Sequence, residues 1–507
     1  MSRKSQGNLV FRNIIFGFGT KLITIALSFL IPRLFITSYG SEVNGLLSTI
    51  SQIFTYLALL EAGIGTASVN ALYKPLDREN REQVNEVLSQ SRMYFRKVTR
   101  VYVVCVMGFA CIYPFVAHSS MDKWTISAVI LLQGATSCIS YYFCATYEQL
   151  LRADGKQYIL DSIGFLIHVG ISVAKIVLVS LGYSIVIVQL GYLVVSVAKI
   201  PIIFALCKKQ YPWLQLKRAK TCELLKERKA FVVHQISQTI FTNTDVLLIS
   251  SFCSFALASV YSVYNMVFGA LNAMVNTANA GLGFVLGQNY YKDREHFLEI
   301  YDCYGALYSM AVFIIMSVAY ILMIPFVQLY TAGVTDVNYA LRWLPLLFTM
   351  VNVLSGIRAV ASRLITVSGH AEKTQNRSVL EAIINIVASL VLVQWLGIYG
   401  VLLGTIVALL YRTNDMIIYA NKVILKRNPW KEYKGLLVDL ILFVGIAVVA
   451  SNITLPANNY LELVGVAIIV ALVVAAIYIC AMLLMNRKIL KFLVATIRNK
   501  TQRTNAQ

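Results

Sequence analysis

Four basic side chains inside long apolar stretches are the residues of this sequence most suited to chemistry. They are Lys21, Arg33, Lys175 and Arg358. A charged residue at membrane depth is costly, so it usually faces a cavity or a partner. Arginine offers a planar fork of donors and lysine a point charge, and both attract phosphate and carboxylate groups. The four residues therefore predict a polar pathway for an anionic ligand.

A second group consists of titratable residues in the same kind of stretch. Glu61 and Asp245 each lie in a separate apolar segment, while Asp161 and His168 precede Lys175 at intervals of seven residues. This spacing places the last three on one face of a helix. We assign Glu61, Asp161, His168 and Asp245 to ion coupling. For His168, a structural hydrogen bond is the alternative.

Four asparagines, Asn265, Asn272, Asn276 and Asn279, form a stripe along the eighth apolar stretch. Amide groups donate and accept hydrogen bonds, which suits the hydroxyl groups of sugars. The stripe is therefore our candidate sugar-binding surface. Hydrogen bonding between helices, which is common in membranes, is the alternative explanation of the same stripe.

Three further basic residues, Lys199, Arg363 and Arg412, lie near the ends of apolar stretches. Long basic side chains bury their carbon stems and keep the charged group at the membrane surface. We expect these three to extend to lipid headgroups rather than to take part in a site.

The elements that position these residues follow from composition. The 507 residues are 58% hydrophobic and 13% charged, about half the charged fraction of a soluble protein. About 20 apolar residues cross a bilayer as one helix, and this length predicts an all-α polytopic membrane protein. Fourteen spans are predicted, near residues 11–38, 43–72, 95–117, 124–151, 157–181, 183–207, 230–252, 256–288, 299–331, 339–366, 378–397, 399–420, 435–455 and 461–486.

The basic residues are distributed asymmetrically between the predicted loops. The net charge is +20, and 26 of the 44 Lys and Arg residues lie on one side if the spans alternate. They occupy the segments 73–100, 208–229, 421–434 and 487–507. The opposite loops contain only Lys123 and Arg342. Because cytoplasmic loops are enriched in basic residues, both termini are predicted to be cytoplasmic, and the charge does not indicate nucleic-acid binding.

Matching landmarks recur at an offset of about 215 residues. Leu181-Gly182 matches Leu396-Gly397, and Gly155 matches Gly369. Six spans per copy give two parallel repeats, which are typical of transporters with a V-shaped central cavity. The predicted domains are an N-lobe (1–207), a basic cytoplasmic connector (208–229), a C-lobe (230–425), two added spans (426–486) and a basic tail (487–507).

Several motifs required for enzymatic or ATP-driven mechanisms are missing from the sequence. It contains no G-x-x-x-x-G-K-[ST] phosphate loop and no cysteine–histidine spacing typical of a metal site. The predicted external loops are too short to form a catalytic domain. We therefore expect no catalytic residues, no metal and no cofactor, and energy from an ion gradient, the membrane potential or the substrate gradient.

Several stretches resemble those of the polysaccharide (oligosaccharide) flippase family, in the multidrug/oligosaccharidyl-lipid/polysaccharide exporter superfamily. They are SYGSEVNGLLS (38–48), LEAGIGTA (60–67), LYKPLD (72–77), LLRADGKQY (150–158) and EAIINIVASLVLVQWLGIYGVLLGT (381–405). The resemblance covers the first twelve spans. It implies a bacterial inner-membrane protein that moves an undecaprenyl-pyrophosphate-linked oligosaccharide to the external leaflet for capsule, O-antigen or exopolysaccharide synthesis. Lys21 and Arg33 match the family's basic residues that engage pyrophosphate.

The resemblance also implies partners: the lipid-linked substrate, membrane lipids, and a polysaccharide polymerase and glycosyltransferases of the same pathway. Two alternatives stay open. A cation-coupled multidrug antiporter of the same superfamily needs an acidic pocket, for which Glu61 and Asp245 are candidates. A membrane glycosyltransferase or polymerase needs a large external loop with acidic residues, and no predicted loop is of that kind.

Overall fold

A computed structural model describes residues 3–61, 64–117, 119–216, 229–290, 294–370, 372–453 and 459–485. This part of the chain is helical and contains no strand. Contacts divide the chain into two compact units, Met1–Ser262 with Val334–Val337, and Val263–Gly333 with Asn338–Gln507. The prediction of an all-α polytopic protein is confirmed.

The described residues of the first unit form ten complete helices. They are α1 (Arg3–Tyr39), α2 (Ser41–Ala58), α3 (Ile64–Asp77), α4 (Arg81–Val116), α5 (Lys123–Phe143), α6 (Ala145–Ala153), α7 (Gln157–Ser180), α8 (Ile185–Val197), α9 (Lys199–Gln210) and α10 (Lys229–Phe252). Helix α1 packs on α2 and α7, α4 packs on α5, and α10 packs on α2.

The second unit contains, in its described part, six complete helices and most of a seventh, α11 (Phe255–Asn289), whose first two turns belong to the first unit. The six are α12 (Arg294–Tyr330), α13 (Leu344–Val367), α14 (Gln375–Leu396), α15 (Ile398–Tyr419), α16 (Trp430–Ser451) and α17 (Tyr460–Met485). Helix α15 packs on α13 and α14, whereas α16 and α17 both pack on α12. The Tyr478 hydroxyl of α17 donates to the Asp439 carbonyl of α16, at 3.2 Å.

Each of the fourteen predicted spans coincides with helix, but three of them consist of two helices. The predicted spans 43–72, 124–151 and 183–207 are divided at α2/α3, α5/α6 and α8/α9. At the first division, the amides of Leu59, Leu60 and Glu61 donate to carbonyls three residues earlier. Such hydrogen bonds are of the 3₁₀ type, and the α-helix ends there. Hydropathy shows only how long an apolar stretch of side chains is. It therefore cannot show such a change of backbone hydrogen bonding.

Ten helical segments in the described part are long and apolar enough to cross a membrane. Within the described residues, the predicted span 11–38 contributes a shorter apolar helix, Ile23–Tyr39, and the predicted spans 43–72, 230–252 and 256–288 are not among the ten. These four are the first two spans of each predicted repeat.

Two matched landmarks of the predicted repeat have the same local structure. Gly155 and Gly369 both have a positive φ, of 70° and 74°. In each case the next amide bonds back to a carbonyl five residues earlier, Lys156 to Leu151 and His370 to Ile365. This is the Schellman ending of a helix, which needs a left-handed residue and so favours glycine. The agreement supports the predicted repeat, and its lobe boundaries and central cavity stay predictions.

Candidate functional site

The first unit contains three of the four predicted anion-binding residues, on α1 and α7. Lys21 is exposed, and Arg33 and Lys175 are half-buried. The Lys175 ammonium lies 4.9 Å from the ring centre of Tyr192 and 5.6 Å from that of Phe35. Within the described residues, no carboxylate forms an ion pair with it. Aromatic faces stabilise a cation electrostatically without neutralising it, so the two rings do not compensate the charge of the Lys175 ammonium group.

The two other residues of the α7 stripe, Asp161 and His168, are exposed. Asp161 accepts a hydrogen bond from the Gln157 amide at 2.8 Å. The backbone carbonyl of His168 accepts one from the Ser172 hydroxyl, also at 2.8 Å. This hydrogen bond does not involve the imidazole ring of His168. The structure thus places the stripe on one helix face, as the spacing predicts.

Glu61 lies at the division between α2 and α3 and is half-buried. Its carboxylate lies near the Tyr141 hydroxyl of α5. The neighbouring carboxylate of Glu148 pairs with Lys199 of α9 at 2.6 Å and with Arg152 at 4.0 Å. The expectation that Lys199 extends to headgroups is therefore wrong, because a carboxylate on α6 holds its ammonium group within the protein.

Asp245 on α10 is buried. Its carboxylate accepts a hydrogen bond from the Tyr261 hydroxyl of α11 at 2.8 Å. The preceding residue, Thr244, shares a 2.5 Å hydrogen bond with Tyr56 of α2. Asp245 therefore lies beside the contact between α2 and α10, where a change of its charge would affect how these helices pack.

The first unit also contains polar contacts that sequence reasoning missed. The Asn44 amide of α2 donates to the Ser259 hydroxyl at 2.7 Å, and the Ser41 amide donates to the Asp336 carboxylate at 2.6 Å. A side chain at Gly45 would place its Cβ 1.8 Å from the Phe255 carbonyl oxygen. Small, mostly uncharged residues of this kind give no sequence signal, except that Ser41, Asn44 and Gly45 lie in the family-like stretch 38–48.

In the second unit, the asparagine stripe of α11 is divided between two environments. Asn265 and Asn276 are exposed, whereas Asn272 is half-buried and donates a hydrogen bond to the Asn352 side chain of α13. The Asn279 side chain lies outside the described residues. Asn272 therefore has the interhelical contact considered as the alternative, and Asn265 and Asn276 keep their amides accessible.

Arg358, the fourth predicted anion-binding residue, forms an ion pair with Glu381 of α14. Arg412 of α15 lies 3.6 Å from the same carboxylate and pairs with Asp415 at 2.7 Å. Only 2% of the Arg412 side chain is exposed, so the expectation that it extends to headgroups is wrong. Sequence reasoning missed Glu381 and Asp415, although Glu381 begins one of the family-like stretches.

This cluster has an excess of positive charge. Arg377 pairs with Asp415 at 2.5 Å, and the Arg412 guanidinium donates to the Ser378 hydroxyl at 2.9 Å. Three guanidinium groups and two carboxylates thus leave one net positive charge among Arg358, Arg377, Arg412, Glu381 and Asp415. Arg363 is also expected to extend to lipid headgroups. It forms no ion pair in the described part of the chain, so this expectation is still a prediction.

A cavity of about 590 Å³ lies in the second unit between α12, α13, α16 and α17. Asp302 on its wall pairs with Arg427 and Lys431, both at 2.5 Å. Deeper along α16, Asp439 accepts a hydrogen bond from the Ser309 hydroxyl at 3.0 Å. Sequence reasoning missed Asp439, a single acidic residue in the predicted span 435–455.

Within the described residues, no group of three or more His, Cys, Asp or Glu side chains could hold a metal ion.

No protein-family model matches this sequence, and no curated protein matches it either. Several solved structures do match it. The lipid II flippase MurJ, in an inward closed conformation, superposes with a TM-score of 0.69 at 15% identity, covering 94% of this chain and 100% of that one. A multidrug resistance MATE family transporter of the MOP superfamily, in an inward-facing conformation, gives 0.60 at 15% identity and covers 83% and 95%.

A third structure, that of the MATE multidrug transporter DinF-BH, has a TM-score of 0.55 at 14% identity and covers 80% of this chain and 94% of that one. These neighbours are transporters and flippases. The chain therefore has the fold shared by the MurJ flippase and the MATE transporters, which confirms at the level of the fold the resemblance seen in the sequence. Identities this low carry no information about the substrate.

Proposed function

We propose that this protein is a secondary transporter that moves a lipid-linked oligosaccharide across the membrane by alternating access. The substrate class is an undecaprenyl-pyrophosphate-linked oligosaccharide destined for a surface polysaccharide. Support comes from the exporter fold, from the similarity to a lipid II flippase and from the basic residues on α1 and α7. The protein would reside in a bacterial inner membrane with both termini in the cytoplasm, and would work beside glycosyltransferases and a polymerase.

The observation that carries the proposal is the environment of Lys175. Its ammonium group is half-buried in a membrane-spanning helix beside the rings of Tyr192 and Phe35, without an ion pair to a carboxylate in the described part of the chain. A charge at membrane depth that no opposite charge compensates is expensive unless a ligand supplies one. The pyrophosphate of the substrate is such a ligand, and Lys21 and Arg33 on the adjacent helix would extend the same positive surface.

The remaining residues have proposed roles in the same cycle. Asn265 and Asn276 would bind sugar hydroxyls, with Asn272 and Asn279 along the same stripe. Arg358 would contribute through the net positive charge of its cluster rather than as an isolated cation. Movement of the N-lobe (1–207) against the C-lobe (230–425) would expose the site alternately to the two sides.

Coupling to protons is proposed for Glu61, Asp161, His168 and Asp245. Asp245 is the best placed of these, because it is buried and lies next to the contact between α2 and α10. The proposal requires that flipping in sealed vesicles responds to an imposed pH gradient. A rate that is insensitive to the gradient would exclude this role.

A vesicle assay tests the proposed function directly. The purified protein is reconstituted in liposomes with a fluorescent undecaprenyl-pyrophosphate-linked oligosaccharide, and flipping is followed by quenching of the label on the outer leaflet. We expect Lys175→Gln to slow flipping by about tenfold or more, because a charge-assisted hydrogen bond contributes about 1.5–3 kcal/mol. Lys175→Arg should retain most of the rate.

Lys123 provides a matched control, since its ammonium group also lies over a ring, 4.4 Å from the centre of Phe115, at the exposed start of α5. Lys123→Gln should leave the flipping rate unchanged. If the wild-type protein does not move the labelled lipid, the proposed function is wrong. If Lys175→Gln moves it as fast as the wild type, the assigned role of Lys175 is wrong.

A cation-coupled multidrug exporter is the second candidate function. It is favoured by the similarity to two MATE transporters and by the buried carboxylate of Asp245. The same liposomes loaded with a lipophilic cationic dye distinguish the two functions. Dye export that is driven by a pH gradient and lost in Asp245→Asn would favour this candidate over the flippase.

A further inference from the structure

A small cavity of about 240 Å³ lies in the first unit, apart from the residues assigned to transport. Arginine and aromatic side chains dominate its wall. The lining residues are Arg92, Arg96, Tyr142, Phe143, Thr146, Tyr147, Ile200, Ile203, Phe204 and Leu216. They come from α4, α5, α6 and α9 and from the chain that follows α9. Among the described residues, no acidic side chain lines this cavity.

The two arginines have unused hydrogen-bonding capacity. The Arg96 guanidinium lies 5.0 Å from the ring centre of Tyr142, and its Nε atom is buried with no hydrogen-bond acceptor in the described part of the chain. Among the residues that the structure describes, neither Arg92 nor Arg96 forms an ion pair. A buried donor without an acceptor costs free energy, so a small shift of the Arg96 side chain toward an acceptor in the cavity would be favourable.

The depth of the cavity matches the region of the lipid headgroups. Arg96 lies at the beginning of the predicted span 95–117, and Phe204 lies near the end of the predicted span 183–207. Both positions are at the predicted cytoplasmic surface. Tyr142, Phe143 and Phe204 are exposed although they are large and aromatic, as is common for rings at a membrane interface.

We propose that this cavity binds the phosphate of an anionic diacyl phospholipid from the cytoplasmic leaflet. Arg92 and Arg96 would donate to the phosphate oxygens, and Phe143 and Phe204 would contact the start of the acyl chains. Basic pockets between membrane helices are known to hold anionic headgroups. The volume is below the range of about 300–1,000 Å³ for pockets that enclose a whole ligand, which fits a headgroup whose chains stay in the bilayer.

Native mass spectrometry of the purified full-length protein tests this site, with phosphatidylglycerol as the probe and phosphatidylcholine as the neutral comparison. We expect retention of phosphatidylglycerol to fall by at least about tenfold in the double variant Arg92→Gln/Arg96→Gln, since basic residues near the membrane surface attract anionic lipids. Retention of phosphatidylcholine should not change.

The matched control is Lys97→Gln/Arg100→Gln, which removes two exposed charges of α4 that do not line the cavity. The proposal is overturned if the double cavity variant retains phosphatidylglycerol as the wild type does, or if the control loses as much. It is also overturned if millimolar inorganic phosphate displaces the lipid completely, because the site would then bind a free anion. If the double variant does not fold, the single variants Arg96→Gln and Tyr142→Leu decide by the same measurement.

Discussion

Basic side chains inside the helices of this protein are stabilised in two different ways. Arg412 is almost completely buried and contacts two carboxylates, Glu381 and Asp415. Lys175 contacts aromatic rings instead and has no ion pair with a carboxylate in the described part of the chain. An ion-paired arginine contributes mainly to the structure, whereas a cation beside rings can still bind an anion. This difference separates a structural residue from a candidate site residue of the same charge.

The substitution Glu381→Gln should destabilise the second unit strongly. It removes the negative charge between Arg358 and Arg412 and leaves two guanidinium groups close together in a buried place. Breaking a buried ion pair by removing one partner costs about 3–5 kcal/mol. The unfolding midpoint of the purified protein in detergent measures the effect. In the comparison variant Arg377→Gln the loss should be smaller, because that side chain is 40% exposed. Equal losses would contradict this account.

At the scale of single residues, the sequence predicts which side chains are unusual but not which partners they meet. Lys175 and Arg358 stand out because charge is rare in apolar stretches. The pairing of Arg358 with Glu381 depends on how α13 and α14 are rotated about their axes, and a hydropathy pattern contains no information on that rotation. For the same physical reason, the positions of Lys199 and Arg412 near helix ends suggested snorkelling, although acidic partners lie beside both.

At the scale of elements, the contact of α2 with α10 and the start of α11 is a candidate for the opening and closing that the proposed alternating access requires. Small residues bring the helices close together, and the hydrogen bond from Asn44 to Ser259 joins the two predicted repeats. Gly45 permits this approach, because a Cβ there would overlap the Phe255 carbonyl. Contacts between small, polar groups are weak enough to break within the proposed transport cycle.

The substitution Gly45→Val should prevent this contact. In a cysteine-free background, Asn44→Cys and Ser259→Cys place two thiols where atoms now lie 2.7 Å apart, so an oxidant should join them. Adding Gly45→Val should reduce the crosslinked fraction by about tenfold or more, because a loss of about 1.4 kcal/mol already changes an equilibrium tenfold. Gly164→Val serves as the control, since a Cβ at Gly164 meets nothing within 4 Å among the described residues. Unchanged crosslinking in Gly45→Val would show that the helices pack differently.

The approximate positions of the apolar segments could be predicted from the sequence, because apolar length alone determines whether a segment can span a bilayer. The divisions within the spans could not. At residues 59–61 the backbone changes its hydrogen-bond pattern while the side chains stay mostly apolar, so no hydropathy signal marks the place.

At the scale of the whole molecule, the distribution of basic residues predicts the orientation of the chain in the membrane. The positions of the helices alone do not predict it. The segments 73–100 and 208–229 are basic, whereas the opposite loops contain only Lys123 and Arg342. Basic loops are retained on the cytoplasmic side during insertion, so the first segment should be cytoplasmic and the loop 117–123 external. The proposed direction of transport and the proposed lipid site on α4 both depend on this orientation.

Labelling of single cysteines in intact cells determines the orientation. Ser120→Cys, in the loop before α5, should react with a membrane-impermeant maleimide in intact cells, because its position is exposed and predicted to be external. Arg78→Cys, which is equally exposed in the turn after α3, should react only after the membrane is permeabilised. The cysteine-free protein provides the background signal. The reverse pattern would place the Arg92–Arg96 cavity at the external leaflet and would contradict the proposed direction of transport.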